Sequence, residues 1–149
     1  MDFWPTVVFR FSTSTIGAVF AAGVLAIGTG IWLIRSIGNK RFGYFLIIMG
    51  LVAEVLLGPC LIKDHITITS HSYDMRTGFW FDPTVRHFEF KDVNYIAMGY
   101  WTDIKGQRNT QWEVHLQNGS VVAVPTGNLW QSNRERIIKL LRERGVRIK

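Results

Sequence analysis

Glu54 is the residue of this chain whose surroundings most need a chemical explanation. It stands inside the apolar stretch LIIMGLVAEVLLGPC (46–60), and the neighbouring apolar stretch, 11–34, holds no basic residue that could pair with it. A carboxylate is costly in apolar surroundings, so it is retained where it hydrogen-bonds, pairs with a cation or carries a proton. Three hypotheses stay open: a protonated, hydrogen-bonded packing residue, a contact to another subunit, and a proton-carrying or transport group.

The other groups that could do chemistry are four histidines and one cysteine. His65 and His71 flank a strand pattern, but no HxH or HExxH pattern and no cysteine cluster accompanies them, which favours surface histidines over metal ligands. The sequence lacks GxSxG, phosphate-loop and GxGxxG patterns. Cys60 has no partner for an intrachain disulfide. We therefore predict a non-enzymatic protein without a cofactor or metal.

The elements that position Glu54 are two apolar segments, at about 15–36 and 43–62. A helix needs about 20 apolar residues to cross a hydrocarbon core of roughly 30 Å. Both segments meet this requirement, so we predict a two-helix transmembrane hairpin. The start, MDFWPTVVFRFSTST, has no basic region or cleavage pattern of a signal peptide and is interpreted as an interfacial segment. The predicted domains are 1–62, this segment with the hairpin, and 63–149.

Small residues mark the helix faces that are suited to close packing. In the first segment they recur every four residues, and in the second segment Glu54 lies between two glycines at the same spacing. The predicted packing face therefore comprises Ala18, Ala22, Ala26, Gly30, Gly50, Glu54 and Gly58. An antiparallel hairpin would bring Glu54 to about the depth of 23–25. We predict that this face packs against another helix or docks a partner.

The loop between the segments is basic, with Arg35, Lys40 and Arg41. The positive-inside rule alone would place this loop in the cytoplasm and the C-terminal domain outside. That domain is itself basic, so its side of the membrane stays open. The three cations are candidate contacts for lipid headgroups or a partner.

From His65 onward the pattern alternates with a period of two, which predicts six or seven antiparallel strands. Asn118-Gly119 predicts a hairpin, and Asp82-Pro83 predicts a turn. A closing amphipathic helix is predicted to begin at a capping box of Ser132 and Glu135, or earlier near Asn128, and to stop at Gly145. The predicted fold class is α+β: a helical hairpin, then a bent antiparallel sheet or open barrel with a C-terminal helix.

This order of elements resembles the bacterial pleckstrin-homology-like domain of small membrane proteins. The resemblance is carried by GFWFDPTVRHFEFKDVNYIAM (78–98), VAVPTGN (122–128) and LLRERGVRI (140–148), and covers about 63–149 with the preceding spans. It implies a pleckstrin-homology-like fold on an anchor in the bacterial cell membrane. Eukaryotic relatives that bind phosphoinositides carry several basic residues in the first loop, whereas SHSYDMRTG (70–78) has Arg76 alone, so specific phosphoinositide binding is not expected.

Four clustered aromatic residues admit two interpretations. Trp80 and Trp101, with Phe79 and Tyr100, would suit either a binding patch or the core, and core packing is favoured. Trp80 and Trp101 are kept as candidate contacts for headgroups or a partner.

The function that these patterns favour is a membrane-anchored interaction or scaffold module that binds a protein partner or the membrane surface. The net charge of +6 fits anionic lipid beside two apolar segments, and no nucleic-acid partner is expected. One alternative is an accessory subunit of a larger membrane complex, docked through the small-residue face and Glu54. The other is a transport component that uses Glu54. The expected partners are the lipid bilayer and a membrane protein or further copies of this chain.

Overall fold

The computed structural model describes residues 4–102 and 106–149, which divide into two compact units. The helical unit contains Arg10–Asp64 and Thr77–Thr84. The sheet unit contains the chain up to Phe9, His65–Arg76 and the chain from Val85 onward. The predicted α+β class, with two apolar helices, antiparallel sheets and a helical C-terminus, is confirmed.

The first long helix begins with α1 (Thr13–Trp32) and continues as a π-helical turn, Leu33–Ile37. Ser12 caps its N-terminus by accepting a hydrogen bond from the backbone N–H of Thr15. The helix ends at Gly38, whose φ of 73° is a left-handed conformation that glycine adopts without strain. The connection is therefore shorter than the predicted loop, because most of that loop is helical.

The second long helix is built from α2 (Lys40–Val52), a π-helical turn (Ala53–Leu57) and α3 (Gly58–Lys63). Asn39 caps it, since its side chain accepts a hydrogen bond from the N–H of Phe42. Gly38 and Asn39 are thus enough to join the two helices.

In the described part of the chain, seven strands form two sheets. The four-stranded sheet has the order β1-β2-β3-β4, and the three-stranded sheet has the order β5-β6-β7. Their bounds are β1 (Val7–Arg10), β2 (His65–Ile68), β3 (Ser72–Phe79), β4 (Asp82–Glu89), β5 (Val93–Thr102), β6 (Arg108–Leu116) and β7 (Val121–Pro125).

The first strand differs from the predicted interfacial segment. Val7–Arg10 lies beside β2, and the side chain of Phe9 is 4% exposed in the core of the sheet unit. The helical hairpin is therefore inserted in the chain between β1 and β2, and the predicted boundary at residue 62 separates one strand from its sheet. A four-residue strand upstream of a long insertion gains its stability from non-local pairing, which has no local sequence pattern.

The β3–β4 connection also differs from its prediction. The turn lies at Trp80-Phe81, whereas Asp82 and Pro83 already belong to β4. A proline is tolerated there because β4 is an edge strand and Pro83 stands next to its first residue. The predicted Asn118-Gly119 hairpin is confirmed between β6 and β7, with a φ of 84° at Gly119.

The core of the sheet unit lies between strand faces and the C-terminal helices. Trp112 on β6 contacts Trp130 edge-on, with ring centres 4.7 Å apart, and Tyr73 stacks on Phe88 at 4.9 Å. Desolvation raises the pKa of Tyr73, so its hydroxyl stays protonated. The fully buried residues include Ile66, Ile68, Ile96, Val114, Val124, Ile137 and Leu141.

Two helices close the chain, α4 (Asn128–Ser132) and α5 (Arg134–Glu143). The earlier of the two predicted starts is therefore the observed one, and the predicted capping box is wrong, because Ser132 ends α4 and α5 has no side-chain cap. Gly145 ends α5 as predicted, with a φ of 80°. The N–H of Val146 bonds to the carbonyl of Leu141 and that of Gly145 to Arg142, the pattern of a Schellman motif.

Arg144 links three parts of the sheet unit. Its guanidinium donates to the carbonyl oxygens of Thr69 at 2.6 Å, Leu140 at 3.1 Å and Pro5 at 3.2 Å. We predict that Arg144→Met lowers the free energy of unfolding by about 1–3 kcal/mol, because three carbonyls, of which those of Thr69 and Leu140 are half-buried, lose the guanidinium donor. Urea unfolding measures this loss, and exposed Arg142→Met is the control. Equal stabilities of the two variants would contradict the role of Arg144.

Candidate functional site around Glu54 and the aromatic turn

Glycines let the two long helices approach closely. A Cβ atom added to Gly50 would lie 2.6 Å from the carbonyl oxygen of Gly23, and one added to Gly30 would lie 2.6 Å from that of Gly43. Side chains larger than hydrogen are excluded at such distances, so the backbones themselves are in contact. Gly23 and Gly30, like Gly43 and Gly50, are seven residues apart, which keeps each pair on one helix face.

The π-helical turn keeps a third glycine on this face. Gly58 follows Gly50 by eight residues, yet a Cβ atom added to it would lie 2.6 Å from the ring of Phe20. A π turn inserts one extra residue into the helix. The N–H of Gly58 accordingly bonds to the carbonyl of Ala53, five residues back.

Glu54 lies within this turn and packs over Gly23. A Cβ atom added to Gly23 would lie 2.5 Å from Oε1 of Glu54 and 3.1 Å from its Cγ and Cδ. Oε1 is buried and has no hydrogen-bond partner among the described residues. The acidic side chain thus fills the space above a glycine between the two helices, at the depth expected for an antiparallel hairpin.

The predicted strip of small residues only partly coincides with this contact. Gly30 and, on the second helix, Gly50 and Gly58 are buried, whereas Ala18 and Ala22 are exposed and Ala26 is half-buried. The helices meet along glycines spaced by seven residues. Residues spaced by four turn progressively around the helix, so the alanines of the predicted strip lie away from the contact. Gly23 and Gly43 were missed, although their spacing from Gly30 and Gly50 is visible in the sequence.

A second feature of the helical unit is a hydrogen bond from the aromatic turn to the helix. Pro59 has no N–H, so it cannot donate to the carbonyl of Val55 one turn earlier. Nε1 of Trp80 donates to that carbonyl oxygen at 3.2 Å. Nζ of Lys63 lies 5.8 Å from the centre of the Trp80 ring. The turn between β3 and β4 therefore satisfies a backbone group that the proline leaves without its helical partner.

The core interpretation of the four aromatic residues is wrong. In the helical unit, Phe79 is 50% and Trp80 is 41% exposed, and neighbouring Phe81 is 61% exposed. Tyr100 and Trp101 belong to the sheet unit and are 52% and 46% exposed. The aromatic residues are thus surface groups that lie in two different units.

No known protein-family model, curated protein or solved structure matches this chain.

The predicted loop cations all lie on the surface. Arg35, Lys40 and Arg41 are exposed and flank the Gly38-Asn39 connection at one end of the helical hairpin. They remain candidates for headgroup or partner contacts.

The histidines do not converge on a metal site. Nδ1 of His87 lies 2.5 Å from Oδ1 of Asp74, and the imidazole of His115 stacks on Tyr95. Within 4–102 and 106–149, no group of three His, Cys, Asp or Glu side chains is placed to hold a metal ion. A groove of about 730 Å³ in the sheet unit is lined by His71, His87, Lys91 and Arg144, among others, and is open to solvent.

The Trp80–Val55 hydrogen bond yields a prediction that is specific to Pro59. We expect Trp80→Phe to reduce the stability of the helical unit by about 1–2 kcal/mol, because the Val55 carbonyl then loses the indole donor. Pro59→Ala restores a helical N–H, so Trp80→Phe should cost much less in that background. Thermal unfolding of the four proteins in one detergent measures the coupling. Additive effects of the two substitutions would contradict the hydrogen-bond account.

Proposed function

We propose that this protein is a membrane-anchored, non-enzymatic interaction module whose two apolar helices cross the bilayer. One observation carries the proposal. The two helices, of 25 and 24 residues, are long and apolar enough to span a membrane, but only 11% of the most apolar 18-residue stretch of each helix is buried in the protein. A core helix of a soluble protein is mostly buried, so lipid is the solvent that best matches these surfaces. The bacterial cell membrane is the proposed location.

We further propose that the sheet unit has a pleckstrin-homology-like fold. Support comes from its seven strands in sheets of four and three, followed by a helix whose Ile137 and Leu141 enter the core. The exposed strand edges, loops and helix surface would then bind a protein partner or the membrane surface. The conclusion that the module is not an enzyme is supported by the lack of catalytic motifs in the sequence.

The experiment that tests this function is mild detergent extraction followed by native mass measurement. A monomer or small homo-oligomer is expected for an independent module. Stoichiometric co-purification of unrelated chains would show that the protein is not an independent module and would support the accessory-subunit function. A large homo-oligomer that conducts ions after reconstitution would overturn the non-transport role.

An accessory subunit is the second candidate function, and the exposure of Ala18 and Ala22 favours it. These residues form a narrow, smooth part of the first helix that the hairpin itself leaves uncovered. Small side chains of this kind permit a further helix to approach. In contrast, Oε1 of Glu54 is directed at Gly23 of its own chain, so docking would use the alanines rather than the acid.

Substitutions of Glu54 separate packing from transport. We expect Glu54→Gln to preserve the fold and the oligomeric state, since the amide has nearly the same shape as the carboxyl group. Glu54→Leu should raise the stability of the helical unit by roughly 1 kcal/mol, because it removes a buried oxygen that lacks a partner. Thermal unfolding in detergent measures both variants. Loss of an associated chain or of ion flux in Glu54→Leu would contradict a purely internal packing role.

A further inference from the structure

The β3–β4 hairpin ends in three consecutive aromatic residues to which the proposed function gives no role. The rings of Phe79 and Phe81 stack with centres 5.3 Å apart, and Trp80 meets Phe81 edge-on at 5.5 Å. All three are substantially exposed. Turns in water are usually built from glycine and polar residues, so a continuous aromatic turn indicates an interaction surface.

One hydrogen bond gives the level of this turn along the second helix. Trp80 bonds to the carbonyl oxygen of Val55, which precedes Lys63 by eight residues. Eight residues correspond to about 12 Å of helix at 1.5 Å per residue. Lys63 is the last residue of the helix, and its Nζ lies 5.8 Å from the centre of the Trp80 ring, so the indole lies next to a charged amine of the kind found near the headgroups at the ends of spans. The indole therefore reaches to a level about two helical turns inside the end of the span.

We propose that Phe79, Trp80 and Phe81 insert into the lipid leaflet around the C-terminal end of the second helix. This inference rests on the proposed function, because it requires the helices to lie in a bilayer. The turn then forms a second, non-helical contact with the membrane, at the boundary between headgroups and acyl chains. Aromatic side chains are enriched at this boundary, and interfacial elements bury their apolar faces about 5–10 Å into it.

The surface beside the turn favours lipid over a protein partner. Val55 and Leu57, on the helix that Trp80 contacts, are 54% and 48% exposed. The aromatic turn and this helix thus belong to one compact unit and present apolar side chains together. Residues 77–81 carry no charge, and the nearest charged residues in sequence are Arg76 and Asp82. A leaflet that surrounds the helix would necessarily meet the turn that is bonded to it.

Lipid quenching of single labels tests this insertion. In a Cys60→Ser background, Phe81→Cys carries an environment-sensitive fluorophore, and the full chain is reconstituted into phosphatidylcholine–phosphatidylglycerol vesicles with nitroxide-labelled lipids. Leu25→Cys, on an exposed position of the first helix, reports whether the helices are in the bilayer. Asn118→Cys, in the β6–β7 loop, reports a position expected in water. Circular dichroism verifies that each labelled protein keeps its secondary structure.

The expected result is strong quenching at position 81 by lipids labelled near the headgroups, strong quenching at position 25 by lipids labelled deep in the acyl chains, and little quenching at 118. Quenching at 25 with none at 81 would overturn the insertion of the turn and leave the proposed function intact. The absence of quenching at both positions would overturn both the insertion of the turn and the proposed membrane anchor. A blue-shifted but unquenched label at 81 would indicate burial in protein and would also overturn the proposal.

Discussion

Gly50→Val is expected to separate the two long helices, with a loss of stability of about 3 kcal/mol, at the upper end of the range for overpacking. A Cβ atom at Gly50 would lie 2.6 Å from a backbone oxygen, that of Gly23, and 2.6 Å from Cγ1 of Ile27. A backbone oxygen within a helix cannot move away as the end of a flexible side chain can. The glycine contact that positions Glu54 should therefore be lost with this one substitution.

Spin labels at Gly17→Cys and Ile62→Cys, in a Cys60→Ser background, measure the separation of the helices. We expect a short, narrow distance distribution that becomes long and broad in Gly50→Val. Gly28→Val is the matched control, because a Cβ atom at Gly28 would have no atom within 4 Å. Similar distributions for Gly50→Val and the control would contradict packing through the glycine contact.

Trp112→Ala is expected to unfold much of the sheet unit. The side chain of Trp112 is 1% exposed, lies opposite Met98 and Val124 in the sheet, and contacts Trp130. Truncating a buried tryptophan costs about 3–5 kcal/mol, which is a large part of the roughly 5–15 kcal/mol that stabilises a typical domain. Urea unfolding of the full chain in detergent, followed by near-ultraviolet circular dichroism, measures the change.

The control for Trp112→Ala is Trp101→Ala, which removes a side chain of the same type from a position that is 46% exposed. We expect its unfolding midpoint to stay close to that of the unmodified protein. If Trp101→Ala were as destabilising as Trp112→Ala, the assignment of the core would be wrong.

The parts of the fold that were predictable are those with a strong local period. The two apolar segments predict two long helices because a run of this length has few other structures available. Trp112, Val114 and Leu116 alternate with polar residues and predict β6. Gly145 predicts a helix end, since a positive φ costs glycine little.

The parts that were not predictable depend on distant residues. Val7–Arg10 becomes a strand through pairing with β2, on the far side of the helical hairpin in sequence. Asp82-Pro83 has the local chemistry of a turn, but both residues belong to strand β4, and the turn lies at Trp80-Phe81. Ser132 and Glu135 have capping-box spacing, yet the helix break at Asn133 prevents that cap.

The candidate site was predictable only in outline. The position of Glu54 between Gly50 and Gly58 indicated that it faces a neighbouring helix, and it does contact Gly23. The π-helical turn, which allows Gly58 to stay on that face, has no simple sequence signal. The hydrogen bond from Trp80 to Val55 joins residues 25 positions apart and emerges only when the structure shows the carbonyl that Pro59 leaves without a helical donor.

Extraction of isolated cell membranes with alkaline carbonate tests the account most directly, since it releases peripheral proteins but leaves helices that span the bilayer. The account predicts that the full chain stays in the pellet with an integral membrane marker and becomes soluble only when detergent is added. Release of the chain into the supernatant with a peripheral marker would contradict the membrane anchor, and with it the insertion of the aromatic turn.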